Sequence, residues 1–187
     1  MGLDAEFQEW FDNVADDFRP KILDALIAPL HKVHLYNWLD QSTMWLQYYS
    51  TRILLKECML LITRKISAFT MLQLNPYEQK QKIEIRDLAR DIARSIPWVL
   101  GQIDSVGIPQ HVPRISVQGV RAYTLLWPLR VAALAEHTTW KFRAFSIATL
   151  LFIGHEIGLG KALSIARSAG EAVSYSLLGM CSLPIYC

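Results

Sequence analysis

The sequence predicts an all-α fold: a single domain of about seven helices packed around a long central helix. Apolar residues recur at helical steps of three and four along most of the chain, and no convincing alternation of period two indicates a strand. The 187 residues suit one domain with a sizeable core. Hydrophobic residues make up 52% and charged residues 19%, so we expect helices that are buried on more than one side.

The first helix is predicted from Asp4 to Phe18. An apolar stripe would dock it on the core while its acidic residues face away. The stripe consists of Leu3, Phe7, Trp10, Phe11, Val14 and Phe18. This acidic start lacks the basic and apolar pattern of a signal peptide, so we expect an intracellular protein, cytoplasmic or nuclear.

A second helix is predicted to begin at Pro20, which suits a first turn, and to kink or restart at Pro29. His31 and His34 lie three residues apart and could share a helical face, as metal ligands do. No third ligand is spaced nearby, so a surface or core-edge pair is favoured. The sequence therefore predicts no metal site.

The central helix is predicted from Ser42 to Met71, an interval without Gly or Pro. Arg52 is the only charge that we place on its apolar seam, and a buried guanidinium needs a carboxylate, carbonyl groups or a ligand anion. A structural ion pair and a ligand contact both remain open. Cys58 lies next to the seam residue Met59 and is predicted to be a buried, inert thiol.

The fourth helix is predicted to start with Asn75 as its cap and Pro76 at its first position. Gly101 is a plausible stop. Residues 101–115 have the Gly and Pro content of a loop and are the best candidate for a lid or a variable edge.

The fifth helix is predicted to begin near Ser116 and to kink at Pro128, which lacks an N–H and clashes with the preceding turn. Kinks beside aromatic residues such as Tyr123 and Trp127 often open a pocket. A simple packing accommodation is equally consistent with the pattern.

The sixth helix is predicted over residues 138–159, where Gly154 and Gly158 would let a neighbouring backbone approach closely. His155 falls on its apolar stripe, either as a hydrogen-bonded core residue or as a general acid/base or ligand donor. A last helix follows, and residues 177–187 are predicted to form a loose tail.

Arg52 and His155 lead to the predicted site. Each is a polar group on an otherwise apolar stripe, and such groups cost stability unless they satisfy one another around a common polar spot. We therefore predict one cavity between the central helix and the fifth and sixth helices. Its ligand-binding residues would be Tyr48, Arg52, Trp98, Tyr123, Trp127 and His155. In an enzyme, His155 would transfer a proton and Arg52 would hold a carbonyl or enolate oxygen.

Three motifs occur in order between residues 45 and 166. They comprise Ser95, Pro97, Trp98 and Gly101 at a helix end, then Leu126, Pro128 and Leu129, then Ile153, Gly154 and Gly158. In order and spacing they resemble the carboxy-terminal helical region of fungal zinc binuclear-cluster transcription factors. The six-cysteine DNA-binding cluster of that family and its basic linker are absent from the sequence. The resemblance implies a region that binds effectors or regulates activity.

The composition of the chain argues against several kinds of partner. A net charge of +2 without a long basic tract gives little basis for direct nucleic-acid binding. No uncharged apolar run reaches the roughly 20 residues that a membrane span needs. Three Cys are too few for a disulfide framework, and no motif indicates a cofactor.

Two functional hypotheses follow. The first is an effector-binding or interaction module whose partner is an apolar small molecule or a protein. The alternative is a small biosynthetic enzyme of cyclase or isomerase type that acts on an apolar natural-product intermediate on the same scaffold. A surface with few charges is also consistent with a homo-oligomer.

Overall fold

The fold is built from helices, with one small sheet near the amino terminus. The computed structural model describes residues 2–27, 30–70, 75–104, 106–109 and 115–181. Within these ranges it contains six α-helices and a two-stranded antiparallel sheet. The elements are α1 Leu3–Asn13, β1 Lys21–Ile27, β2 Leu30–Leu35, α2 Leu39–Thr70, α3 Asn75–Val99, α4 Ile115–Leu134, α5 Trp140–His155 and α6 Gly160–Cys181. The predicted all-α character is thus confirmed, with six helices rather than about seven.

The predicted second helix is wrong, because the segment after Pro20 forms the β-hairpin. Lys21 of β1 lies opposite Leu35 of β2, and Leu23 lies opposite Val33. In β2 the last three residues, residues 33–35, are buried in succession, so both faces of this strand are covered. A strand that is buried on both faces shows no alternation, and a period-two search therefore misses it.

The hairpin also separates the two His that could have shared a helical face. His31 is exposed in the first half of β2 and His34 is buried in its second half. Residues three apart on a strand also point to opposite faces, so the two side chains do not meet. No group of three metal-ligating side chains occurs among the described residues.

The long helix α2 packs along α3 and forms the centre of the molecule. The predicted central helix is confirmed, with Leu39 and Thr70 as its observed ends. Among the fully buried side chains on this pair are Trp45, Leu46 and Ile53 from α2 and Ile85, Ile92 and Ile96 from α3. The hairpin lies against α3, where the hydroxyls of Tyr36 and Ser95 are 2.6 Å apart.

The carboxy-terminal end of α3 shows the predicted stop. Gly101 adopts a φ of 68°, a left-handed conformation that glycine adopts without strain. Its N–H donates to the carbonyl of Trp98, and the N–H of Gln102 donates to the carbonyl of Pro97. Residues 102–104 and 106–109, which belong to the predicted loop, lie outside any helix between α3 and α4, and residues 105 and 110–114 of that loop lie outside the described ranges.

Helices α4, α5 and α6 pack on one another and complete the bundle. The predicted sixth helix is shorter than expected: α5 ends at His155, and Gly158 turns the chain with a φ of 83°. Gly154 allows the close approach that the sequence predicts, since a Cβ there would overlap the side chain of Leu163 on α6. Helix α6 continues to Cys181, so part of the predicted loose tail is helical, and residues 182–187 lie outside the described ranges.

Helix α1 is also shorter than predicted. It ends at Asn13, after which Val14 and Ala15 are extended and residues 16–18 form a short 3-10 turn. The Arg19 guanidinium donates to the carbonyls of Phe11 and Val14 and so satisfies part of the helix end.

Candidate functional site

Arg52 lies on α2 beneath α1, and both of its terminal nitrogens donate hydrogen bonds to that helix or to its own. Its Nη2 donates to Asp4 Oδ1 at 3.0 Å, and its Nη1 donates to the hydroxyl of Tyr48 at 2.8 Å and to Gln8 Oε1 at 3.1 Å. The guanidinium carbon lies 5.6 Å from the centre of the Tyr48 ring. Of the two alternatives for Arg52, the structural ion pair is the one that this geometry matches.

A second cation, Lys56, lies one helical turn further along α2 and is completely buried. Its Nζ donates to Asp4 Oδ2 and to Gln81 Oε1, each at 3.2 Å, and forms an ion pair with Glu84. We call Asp4, Arg52, Lys56 and Glu84 the α1–α2 charge cluster. Arg52 is therefore not the only charge on the seam.

The cluster controls the ionisation of Asp4. Partial burial opposes the charged form of this carboxylate, but the hydrogen bonds and positive charges of Lys56 and Arg52 outweigh burial and lower the pKa of Asp4. Asp4 is thus held as an anion between two cations that have little access to water.

Trp98 is buried at the end of α3 and serves in packing. The centre of the Trp98 ring lies 5.4 Å from the centre of the Tyr36 ring. The guanidinium carbon of Arg121, a residue of α4, lies 5.5 Å from the centre of the Trp98 ring. Burial raises the pKa of Tyr36 well above its ordinary value, and the Tyr36 hydroxyl is paired with Ser95. Neither Trp98 nor Tyr36 reaches the α1–α2 charge cluster through a described contact.

His155 is exposed on the last turn of α5. The buried residues of that helix are Ser146, Thr149, Leu150, Ile153 and Gly154. His155 follows this stripe by one position, about 100° around the helix, and so leaves the core. The predicted convergence of Arg52 and His155 in one cavity is wrong, because α1 satisfies Arg52 and His155 is in solvent.

Tyr123 and Trp127 are the two predicted site residues that share a cleft away from α1. The cleft lies between α4 and α6 and has a volume of about 420 Å³. It is lined by Tyr123, Leu126, Trp127 and Arg130 of α4 and by Lys161, Ser164, Ile165 and Ser168 of α6. We call it the α4–α6 cleft. The six predicted site residues are thus separated: Tyr48 and Arg52 lie together under α1, Trp98 lies in a packing site, Tyr123 and Trp127 lie in the α4–α6 cleft, and His155 lies at the surface.

Two positively charged side chains border the α4–α6 cleft. Arg130 places its guanidinium carbon 5.9 Å from the centre of the Trp127 ring, and Lys161 lies across from it on α6. Neither cation forms an ion pair with another side chain in the described ranges. This pair could have been found from the sequence, since Arg130 follows Trp127 by three residues and therefore lies on the same helical face.

The hairpin holds a buried titratable residue, His34, that was not among the predicted site residues. His34 is 2% exposed, and its Nε2 lies 3.7 Å from Asp91 Oδ1 on α3. Burial, together with the positive charges of Arg94 and Arg90, lowers the pKa of His34 to about 3. The imidazole is therefore neutral at physiological pH. No sequence signal placed His34 near Asp91, because the segment was predicted to be helical.

The prediction for Cys58 is also wrong, since this residue is exposed with a free thiol. In this part of α2 the buried positions are Ile53, Lys56 and Leu60, whereas Leu54 and Leu61 are exposed together with Cys58. The buried stripe is therefore displaced by about one residue from the predicted seam. Of the other two cysteines, Cys187 lies outside the described ranges, and only the backbone of Cys181 is described.

Comparisons with family models, with curated proteins and with solved structures find no match to this chain. None of the helices in the described part of the chain combines the length and the hydropathy of a membrane span.

Proposed function

We propose that this protein is an effector-binding module that takes a small amphiphilic anion, an apolar body with one acidic group, in the α4–α6 cleft. The observation that carries the proposal is the pairing of exposed aromatic rings with two cations in one concave site. Tyr123 is 67% exposed and Trp127 is 41% exposed, so both rings have free apolar surface on which a ligand can pack. The resemblance to fungal regulators, which implies an effector-binding region, points to the same class of function.

The lining of the cleft supports this class of ligand. Tyr123, Leu126, Trp127 and Ile165 offer an apolar wall against which an aromatic or aliphatic body can pack. Arg130 and Lys161 can each donate to a carboxylate, and the hydroxyls of Ser164 and Ser168 add short polar contacts. An apolar wall with a few polar groups is the usual composition of a small-molecule site.

A second groove of about 420 Å³ lies between α1 and α2 and is less suited to an effector. Leu3, Phe7, Trp10 and Met44 supply most of its apolar lining, and Glu6 is its charged residue. Because the charged side chain in this groove is the carboxylate of Glu6, the groove would repel an anionic ligand.

The enzyme alternative required Arg52 and His155 to act on one substrate. Asp4 holds Arg52 under α1, and His155 is exposed on α5, so no described contact joins them. We therefore propose binding without a chemical step in the α4–α6 cleft.

The proposal can be tested with two naphthalene probes that differ in charge. The anion 8-anilinonaphthalene-1-sulfonate should bind with increased fluorescence, and Arg130→Met or Lys161→Met should each weaken its binding about tenfold, since each removes one charged hydrogen bond. The neutral N-phenyl-1-naphthylamine should be almost insensitive to these two changes, while Trp127→Ala should weaken both probes.

Lys141→Met provides the matched control, because Lys141 is an exposed lysine of α5 outside the lining of this cleft. It should leave binding of both probes unchanged. Equal loss of the anionic probe in Lys141→Met and Lys161→Met would show that net charge, not the cleft, controls binding. Saturable binding that all these variants leave intact would contradict the proposal.

A further inference from the structure

Helix α1 is attached to the bundle without being part of its core. No residue of α1 is buried, and the helix packs chiefly on α2. Its ring contacts are extensive: the Phe11 ring stacks on Tyr48 with centres 5.8 Å apart, and the Trp10 ring lies 5.0 Å from Tyr48 and 5.5 Å from Trp45. A helix that is held by one face and by no buried side chain can leave while α2 stays packed on α3, but its departure exposes the core rings of Trp45 and Tyr48.

The surface under α1 requires an acidic occupant. Arg52 and Lys56 are both buried, and Asp4 is the residue of α1 that neutralises them. If α1 left, Arg52 and Lys56 would both lose Asp4, and among the described ion pairs of these two cations the one between Lys56 and Glu84 would remain. A buried cation without a partner is costly, so this surface selects an aromatic helix that carries a carboxylate at the position of Asp4.

The chain is fixed immediately after α1, and this defines where a hinge can lie. The carbonyl of Phe18 accepts from Trp45 Nε1 at 2.6 Å, and the carbonyl of Asp17 accepts from Asn37 Nδ2 at 3.0 Å. Val14 and Ala15, between this anchor and α1, are extended residues outside any helix. Opening there would break the bonds from Arg19 to the carbonyls of Phe11 and Asp12 in α1 and would leave the anchor in place.

We propose that α1 exchanges between copies of this chain, so that the surface formed by Trp45, Tyr48, Arg52 and Lys56 binds α1 of a second copy. The occupant is argued from chemistry, because the α1 of a second copy presents the same rings and the same Asp4. The product is a symmetric dimer in which each chain supplies its Asp4 to the other chain's cations. The tether in one chain gives α1 an effective concentration on the order of millimolar, so the wild-type chain stays monomeric when dilute. The proposal is independent of the α4–α6 cleft.

Charge reversal on opposite partners tests the exchange directly. The Asp4→Arg chain carries a mismatched α1 on a native surface, and the Arg52→Glu chain carries a native α1 on a mismatched surface. Each chain alone binds its own α1 and the α1 of an identical copy more weakly, although Asp4 keeps its ion pair with Lys56 in the Arg52→Glu chain. When the two are mixed, both exchanged pairings become complementary: Arg at position 4 meets Glu at position 52, and native Asp4 meets native Arg52.

Size-exclusion chromatography with light scattering should therefore show monomers for each variant and a dimer for the equimolar mixture. Glu9→Arg replaces Asp4→Arg in the control mixture, because Glu9 is an exposed acid of α1 without an ion pair to the described residues. That mixture should stay monomeric. A mixture of Asp4→Arg and Arg52→Glu that elutes as monomers would overturn the proposal.

A second measurement avoids any change in the buried surface. A peptide of residues 2–19 with a carboxy-terminal fluorescein is titrated with the full chain, and its anisotropy is followed. The Asp4→Arg chain should bind it at least tenfold more tightly than the wild-type chain, whose own α1 competes. A peptide with Asp4→Asn should bind at least tenfold more weakly.

Absence of saturable binding to the Asp4→Arg chain would overturn the exchange. Loss of helical circular dichroism in the Asp4→Arg chain would do so as well, since it would show that α1 belongs to the core.

Discussion

Replacing Lys56 by Met tests whether the α1–α2 charge cluster stabilises the fold. The substitution removes a completely buried ammonium and its bonds to Asp4, Gln81 and Glu84. Removing one partner of a fully buried ion pair costs about 3–5 kcal/mol. The side chains of Asp4 and Glu84 keep 26% and 31% of their surface exposed, so water can replace part of what they lose. We expect Lys56→Met to lower the free energy of unfolding at neutral pH by about 2–3 kcal/mol.

Urea unfolding followed by circular dichroism measures this change. Lys80→Met is the matched control, because Lys80 approaches the same Glu84 at 3.9 Å but is 73% exposed. An exposed pair contributes little, and the control should change the free energy of unfolding by less than about 0.5 kcal/mol. The double variant Lys56→Met/Glu84→Met should recover at least half of the loss, since apolar replacement of a buried pair is often neutral. A Lys56→Met chain as stable as the wild type would refute the reasoning.

Three further predictions concern single residues. The exposed thiol of Cys58 should react with a thiol reagent in the folded protein, and Cys58→Ala should remove one equivalent of that reaction; an unchanged equivalent count would contradict the exposure. Because burial lowers the pKa of His34 from 6.5 to about 3, acid protonates the unfolded chain first, so stability is lost as the pH falls below 6.5. Between pH 6.5 and about pH 5 the free energy of unfolding should fall by about 2 kcal/mol. The urea midpoint of His34→Gln should depend less on pH than that of the wild-type chain; an equal dependence in both would show that His34 is not the cause. Gly154→Ala should lower the free energy of unfolding by about 1–3 kcal/mol, because the added Cβ would overlap the side chain of Leu163. Gly119→Ala is the control: Gly119 has open space for a Cβ, so this change should be neutral or mildly stabilising. Equal effects of the two changes in urea unfolding would refute the close packing at Gly154.

The elements that could be predicted from the sequence are those with strong local signals. The long uninterrupted pattern of α2, the start of α3 at Asn75 and the stop at Gly101 depend on residue types within one or two turns of the chain. The hairpin could not be predicted in this way, because its identity depends on burial of both faces of β2 against the rest of the fold. Local patterns do not contain that information.

The predicted site failed for a related reason. A deviation of one residue in the assigned stripe moves a side chain by about 100° on a helix, which is enough to turn His155 and Cys58 from the core to the solvent. The need of Arg52 for a buried partner was reasoned correctly from its charge. Its partner Asp4 lies 48 residues away on a different helix, and no spacing rule connects the two.

The hydrogen bond between Tyr36 and Ser95 also has a consequence for the order in which the chain folds. It joins residues that are 59 positions apart, whereas α2 and α3 are separated by only four residues of chain. Contacts between neighbouring helices close short loops, while docking of the hairpin must wait until most of α3 exists. We expect the α2–α3 pair to form the folding nucleus and the hairpin to join after the rate-limiting step. Substitutions at Tyr36 should then speed unfolding and leave the folding rate nearly unchanged.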